Sequence, residues 1–270
     1  MPAKKTLTVL FFGDVVGKPG RRTVAKVLPL WQAEYKPDLI LGNVENLTHG
    51  KGVTAKTLTE MKGLGLQAFS GGNHVWAKDD PAKPEIRDNF QLALPANVKQ
   101  TKVDQRYQAV AVAGQTVYLI NLLGREGINF PDIGSALQAF DDLYRELKEP
   151  KLIIVDFHAE FTSEKMSAGW YFDGRASLVL GTHTHIPTAD ARLLDKGAGY
   201  ITDIGMTGLK NEVLGVKKEI IIDRFLEKEP QAFVWADEGP TTATAILAEL
   251  DIATGHCLQI QLLQKDFDMV

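Results

Sequence analysis

A chain of 270 residues with 44% hydrophobic and 24% charged residues is long enough to bury a sizeable core, and its composition excludes disorder, collagen and coiled coil as global descriptions. Thirty Lys and Arg stand against 34 Asp and Glu, a formal net charge of −4, which argues against a nonspecific nucleic-acid coat and still leaves room for a local basic pocket that takes one small phosphate. The single cysteine, Cys257, excludes an intramolecular disulfide and any zinc or iron–sulfur site built on a cysteine cluster. No apolar run approaches the roughly 20 residues of a spanning helix, so no membrane partner is expected. The opening M-P-A-K-K-T runs into a strand-like segment without the apolar core of a signal peptide, and the expected compartment is the cytoplasm.

In chain order, the apolar run Leu7–Phe12 predicts a strand and Arg22–Tyr35 an amphipathic helix that Pro29 should weaken or kink. Leu39–Gly42 predicts the next strand, Ala55–Gly63 a helix and Ala68–Ser70 a further strand. Asp79–Lys99, with Pro81, Pro84 and Pro95 and no clear period, is expected as a structured loop or small insertion over the site. Strands are then expected at Val117–Leu122, Leu152–Phe157, Leu178–Leu180 and Tyr200–Ile204, with amphipathic helices at Ser135–Lys148 and Val216–Leu226. Ala243–Leu250 and Leu258–Leu263, around A-T-G-H, predict a hairpin that extends a sheet edge. Near-continuous apolar strands alternating with helices predict a layered α/β fold, central β-sheets flanked by helices. With no internal repeat, low-complexity tract or linker, one domain over residues 1–270 is expected.

The informative residues follow the strands. Leu7–Phe12 leads to Gly13 and Asp14, Leu39–Gly42 to Glu45 and Asn46, and Ala68–Ser70 to Asn73 and His74. Leu152–Phe157 leads to His158, and Leu178–Leu180 to His183, Thr184 and His185. Ligand sites of α/β sheets collect beyond the carboxyl ends of their strands. Each residue alone has an ordinary structural explanation: Asp14 as a helix cap, the Asn residues as turn formers, the His residues as hydrogen-bonded core groups. His49 in T-H-G-K-G fits a structural role and His256 an exposed hairpin turn. The constellation outweighs its members, because chance rarely sets metal-ligand residue types at five strand ends.

Imidazole, carboxylate and amide oxygen without sulfur suit Fe, Mn or Zn. Eight candidates are too many for one tetrahedral site. Two ions about 3.5–4 Å apart under a shared carboxylate use them naturally, and such a pair serves phosphoester hydrolysis.

G-N-H-V-W and G-T-H-T-H resemble the G-N-H and G-H-x-H blocks of calcineurin-like metallophosphoesterases. The usual D-x-H is here Asp14-Val15-Val16, and N-V-E-N, Asn43 to Asn46, replaces the usual G-D-x-x-D-R block. That pattern is similar to the bacterial YmdB-type subgroup of 2′,3′-cyclic-nucleotide 2′-phosphodiesterases. The likeness continues through G-D-V-V-G-K-P-G-R, E-N-L-T-H-G-K-G, V-D-F-H-A-E, T-S-E-K, G-W-Y-F-D-G-R-A-S and Y-I-T-D-I-G-M-T-G, and covers most of residues 8 to 226. The resemblance implies a first metal held by Asp14 and His185 with Asn46 beside it, a bridging Glu45, and a second metal held by Asn73, His158 and His183. It implies His74 as proton donor to the leaving group after attack by a metal-bound hydroxide. It implies a di-iron centre, with Mn or Zn also compatible with the ligands, and a small phosphodiester or cyclic nucleotide as substrate.

Two other classes fit parts of the sequence. G-D-V-V-G-K-P-G superficially suggests the phosphate loop of a dinucleotide-binding oxidoreductase, but it lacks G-x-G-x-x-G spacing and leaves the histidines unexplained. A metal-bound regulatory or signalling module with little turnover would use the same ligands. Arg21, Arg125 and Arg175, each after a glycine, fit phosphate contact and surface roles equally, and Met166 and Trp170 fit packing better than base binding. A homo-oligomer is compatible with all of this.

Overall fold

The computed structural model describes residues 4–148 and 150–268. The chain begins with β1 (Thr6–Phe12), β2 (Asp14–Val15), α1 (Gly17–Tyr35), β3 (Leu39–Asn43), α2 (Ala55–Leu64) and β4 (Ala68–Ser70). It continues through α3 (Pro84–Arg87), β5 (Leu92–Ala93), β6 (Tyr107–Val112), β7 (Gln115–Leu123), α4 (Ala136–Glu146), β8 (Ile153–His158) and α5 (Thr162–Phe172). Then come β9 (Leu178–Thr182), β10 (Arg192–Leu193), β11 (Gly199–Ile201), β12 (Met206–Leu209), α6 (Lys218–Phe225), β13 (Thr241–Asp251) and β14 (Cys257–Phe267).

Side-chain alternation builds the layers. Leu7, Val9 and Phe11 of β1 point into a core shared with Leu119, Ile154 and Leu180 of the second sheet. Leu10 and Phe12 point the other way, onto Val24, Val27, Leu28 and Trp31 of α1 and Leu58 and Met61 of α2. On the opposite side, Ile153, Val155 and Phe157 of β8 pack on Phe140 and Leu143 of α4 and Ala168 and Phe172 of α5. The result is a four-layer stack, helices–sheet–sheet–helices, with central β-sheets flanked by helices as expected. The first sheet runs β2-β12-β13-β1-β3-β4-β5 with β14 on β13, and the second runs β10-β11-β9-β8-β7-β6. β1, β3 and β4 are parallel in the first sheet, as are β7, β8 and β9 in the second. Each sheet therefore gathers several strand carboxyl ends on one rim. The C-terminal hairpin extends the first sheet, with β13 antiparallel to β1 and β14 outside it.

Several boundaries differ from the sequence expectation. α1 starts at Gly17 rather than Arg22, because Pro19 falls in the first turn, where a missing N–H costs nothing. Gly20 lets that turn approach β12; a Cβ there would lie 2.4 Å from the Thr207 carbonyl oxygen. The helix runs on through Pro29, and Ala25, whose carbonyl loses its partner there, is exposed to water. Asp79–Lys99 is no plain loop or insertion: it contains α3 and β5, and β5 pairs with β4 at the sheet edge. The strand expected at Tyr200–Ile204 stops at Ile201, because Asp203 turns its carboxylate to the backbone N–H groups of Thr184 and Gly205. α6 forms inside the range expected, but it buries no residue completely, so its apolar side chains do not make the packed face expected of Val216–Leu226. α5, β2, β6, β10 and β12 lie outside the elements predicted from the sequence. Among the described residues no helix is long and apolar enough to cross a membrane.

Candidate metal centre

The rim is assembled by tight turns. After β1, Gly13 passes so close to the Gly205 carbonyl that a Cβ would lie 1.9 Å from its oxygen, and Asp14 follows, fully buried. At the end of β3 the Asn43 side chain accepts the Glu45 N–H at 3.0 Å, a local bond that ends the strand and aims Glu45 inward. Gly71 and Gly72 then carry the chain from β4 to Asn73 and His74. A Cβ at Gly72 would sit 2.2 Å from Glu45 Oε2 and 2.7 Å from His158 Nε2, so this cradle exists only because position 72 has no side chain. His158 ends β8, while His183 and His185 follow β9 with φ of +102° and +66°, a left-handed backbone that non-glycine residues seldom adopt.

All eight strand-end residues meet. On one side, His158 Nε2 lies 3.3 Å from Glu45 Oε2, 3.1 Å from Asn73 Oδ1 and 3.0 Å from His183 Nδ1. Glu45, His158 and His183 can each offer a ligand atom within 4.8 Å of the others. On the other side, His185 Nε2 lies 3.9 Å from Asp14 Oδ1 and 3.0 Å from Asn46 Nδ2. Asn46 Nδ2 also donates to Glu45 Oε1 at 2.9 Å, and Asn46 Oδ1 is 3.1 Å from His74 Nδ1. In this arrangement Asn46 presents its NH2 to the cradle; a half-turn of the amide would present oxygen. Glu45 stands between the two sides. Its Oε1 is 3.2 Å from His74 Nδ1, and its Oε2 accepts the His74 backbone N–H at 2.8 Å.

A cation fits this donor set. Asp14 Oδ1 is buried with no hydrogen-bond partner, which is costly for a carboxylate oxygen unless a cation satisfies it. The two imidazole nitrogens of His158 and His183 face one another at 3.0 Å, an arrangement that calls for positive charge between them. Two of the histidines are ready to bind, while Asp14 and His158 hold protons that a cation would displace. Burial holds His183 down to about 3 and His185 to about 4, so both rings are neutral near pH 7 and can give a lone pair. Burial pushes Asp14 up to about 8. For Glu45, burial acts upward, but His158 and His74 outweigh it and hold the carboxyl well below its ordinary range. His158 resists the pull of burial because Glu45 and Asp14 raise it to about 9.

Behind the cradle lies a buried polar layer that strand patterning does not reveal. Asp156 Oδ2 accepts Asn43 Nδ2 at 2.8 Å and Ser70 Oγ at 2.5 Å, tying the second sheet to the first directly beneath the ligands. Lys165 of α5, 1% exposed, donates to the Thr182 carbonyl at 2.7 Å and to Asp203 Oδ2 at 2.5 Å. Asp203 Oδ2 in turn accepts the Thr184 N–H, so the pair anchors the left-handed turn bearing His183 and His185. The available signals were an aspartate inside the apolar V-D-F-H and a lysine in T-S-E-K.

The remaining sequence candidates lie elsewhere. His49 is exposed and lines a cavity of about 520 Å³ with Lys18, Arg21 and Trp235, and none of the eight strand-end residues lines it. His256 is exposed in the hairpin turn. Arg21 is held by Glu60 and the Leu47 carbonyl. Arg175 is held by Asp141 among Phe140, Tyr144 and Tyr171, and Arg125 is exposed. Met166 and Trp170, expected to pack, are instead 42% and 47% exposed on α5, because that helix buries Lys165, Ala168, Gly169 and Phe172.

Comparison with known proteins gives a family and a fold. Residues 10–263 match the family described as YmdB-like protein. Over 256 residues the chain is 41% identical to a 2′,3′-cyclic-nucleotide 2′-phosphodiesterase of Bacillus subtilis, covering 94% of this chain and 96% of that protein. A solved structure described as a novel phosphatase of Mycoplasma pneumoniae superposes with a TM-score of 0.90 at 30% identity, covering 97% of this chain and 94% of that one. A calcineurin-like phosphoesterase of Bacillus subtilis superposes with a TM-score of 0.54 at 9% identity, covering 98% and 91%, a likeness of fold alone. The layered stack is thus the metallophosphoesterase fold.

Proposed function

The chain belongs to the YmdB-like family, and from that premise we propose that it is a metal-dependent phosphodiesterase acting on small phosphodiesters, 2′,3′-cyclic nucleotides above all. The observation that carries this is the convergence of Asp14, Asn46 and His185 on one side of Glu45 and of Asn73, His158 and His183 on the other. Glu45 has two oxygens to share, Oε1 beside Asn46 and Oε2 beside His158, so it would be the ligand shared by two ions; Asp14 also reaches across, but there its Oδ2 takes the His183 backbone N–H. Iron fits the set, and so do Mn and Zn. When bound, the ions would lower the pKa of the attacking water and clamp the phosphoryl oxygens.

The chain's own residues supply the rest. His74 follows a ligand yet points its Nδ1 at Asn46 Oδ1 and Glu45 Oε1, so its Nε2 is the nitrogen left for the substrate. In its doubly protonated form, His74 keeps Nδ1–H on Asn46 and donates from Nε2 to the departing ribose oxygen. Ribose alkoxide is a poor leaving group, and a placed acid is worth about 10²–10⁴-fold. The ring is partly exposed, in keeping with a group that must meet substrate, whereas Asp14, Glu45 and His158 are fully buried. A cytoplasmic enzyme with a diffusible substrate belongs to the same proposal.

The test is hydrolysis of a 2′,3′-cyclic mononucleotide by chelator-stripped protein before and after adding Fe²⁺, Mn²⁺ or Zn²⁺. Turnover should appear only with metal. Bound metal without turnover would instead favour a regulatory module. With an acidic overall balance, the cyclic mononucleotide should also be cleaved faster than an unstructured RNA at physiological salt; faster cleavage of the RNA would overturn the substrate class.

A further inference from the structure

We propose that Thr182 and Glu160 are positioning residues of this centre: each holds one ring nitrogen of a ligand histidine so that the other nitrogen faces the ion. The inference rests on the metal-centre reading above.

Thr182 has a single hydroxyl hydrogen to place. Its Oγ1 donates to Asp156 Oδ1 at 2.6 Å, and it lies 2.9 Å from His158 Nδ1. A hydroxyl has one hydrogen, and here the carboxylate takes it. Toward His158 the hydroxyl can therefore only accept, so Nδ1 keeps its hydrogen and Nε2 is the nitrogen that gives up its proton when an ion binds. Asp156 cannot turn away, because Ser70 and Asn43 hold its other oxygen. Thr182, His158 and Asp156 are all 0% exposed, so no water competes for these bonds.

His183 is held the opposite way round. Its Nε2 lies 3.0 Å from Glu160 Oε2, and an ionised carboxylate can only accept. Nε2 therefore carries the hydrogen and Nδ1 is bare. That bare nitrogen is the one 3.0 Å from His158 Nε2. The need for opposite tautomers comes from the backbone: His158 reaches the cradle from the end of a straight strand, while His183 reaches it from a left-handed turn with φ of +102°. Either ring in the other tautomer would aim an N–H at the ion. Partners of this kind typically change metal affinity by about 10–100-fold. The Thr182 effect should be the larger, because Glu160 is about half exposed and water can stand in for it.

The experiment is calorimetric titration of metal-stripped T182S, T182V, E160Q and E160A with Zn²⁺, beside melts of the metal-free proteins and ¹⁵N NMR of the Zn²⁺-loaded histidine rings. T182S and E160Q keep an acceptor and should bind nearly as wild type. T182V should lose about 10–100-fold at one of the two positions. E160A should lose less. The slowly exchanging His158 Nδ1–H should persist in T182S and vanish in T182V. Packing alone would order the variants differently, since Val keeps the buried methyl that Ser lacks. Equal affinities in T182S and T182V would overturn the Thr182 role, and equal affinities in E160Q and E160A the Glu160 role. Should T182V not fold, the T182S ring signal and the exposed Glu160 pair still decide: a His158 Nδ1–H exchanging as in free imidazole, with E160A binding as wild type, would reject the proposal. Zn²⁺ binding without hydrolysis in the wild type would defeat the phosphodiesterase reading and leave this one standing.

Discussion

Around His158 and His183, every ring nitrogen has a partner within the protein. Around Asp14 and His185, one carboxylate oxygen and one ring nitrogen are buried with none, and Asn46 presents its NH2 where a cation would want oxygen. One half of the cradle is thus organised in advance, and the other half is completed by what binds there. The two positions should therefore differ in affinity: the His158 side should fill first and empty last.

The largest effect should follow from removing the element common to both halves. Glu45→Gln should lose both ions together and leave only the hydrolysis of stripped protein, measured as metal per chain by mass spectrometry beside cyclic-nucleotide turnover. Retention of one ion at full occupancy would show that the halves are independent and that Glu45 is no bridge.

A second change tests the residue that touches both Glu45 and Asn46 while holding no ion in this account. His74→Ala should keep both metals and lose about 10²–10⁴-fold on a ribose ester, but far less on a nitrophenyl ester, whose leaving group needs no proton. Equal losses on the two esters would exclude the acid role, and loss of metal would make His74 a ligand.

The smallest effect concerns pH and the metal-free fold. His158 rises from an ordinary 6.5 to about 9, chiefly through Glu45 acting against burial, and Asp14 from 3.8 to about 8 through burial. Between pH 6.5 and 8 the folded chain therefore holds protons that the unfolded chain has released. Stability from these groups is greatest below their unfolded values and is lost as pH rises through the folded ones. His183 and His185, held down to about 3 and 4, give an opposing slope that fades as the unfolded rings lose their protons above 6.5, and His158 with Asp14 outweighs it. The Tm of stripped protein should fall from pH 6.5 to 8, and bound metal should flatten the trend. A Tm that climbs over that window would contradict these assignments.

Much of the cradle was legible because a polar residue after an apolar run stands out locally: Asp14, Glu45, Asn46, Asn73, His74, His158, His183 and His185 all occupy such places. The supports were not, since their partners are far away in sequence. Asp156 reads as one residue of a buried strand until Asn43, Ser70 and Thr182 close on it from both sheets. α5 is not legible from the sequence because its pattern is inverted, with Lys165 buried and Trp170 exposed. β6 is an edge strand of mostly small or polar side chains, Y-Q-A-V-A-V, and gives only a weak apolar signal.

The central claim is that two ions act together across Glu45. The direct test is stepwise addition of Mn²⁺ to stripped protein, with bound metal and cyclic-nucleotide hydrolysis followed in the same samples. The first equivalent should bind tightly with little turnover, and activity should rise with the second. Full activity at one equivalent, or in protein with no metal bound, would contradict it.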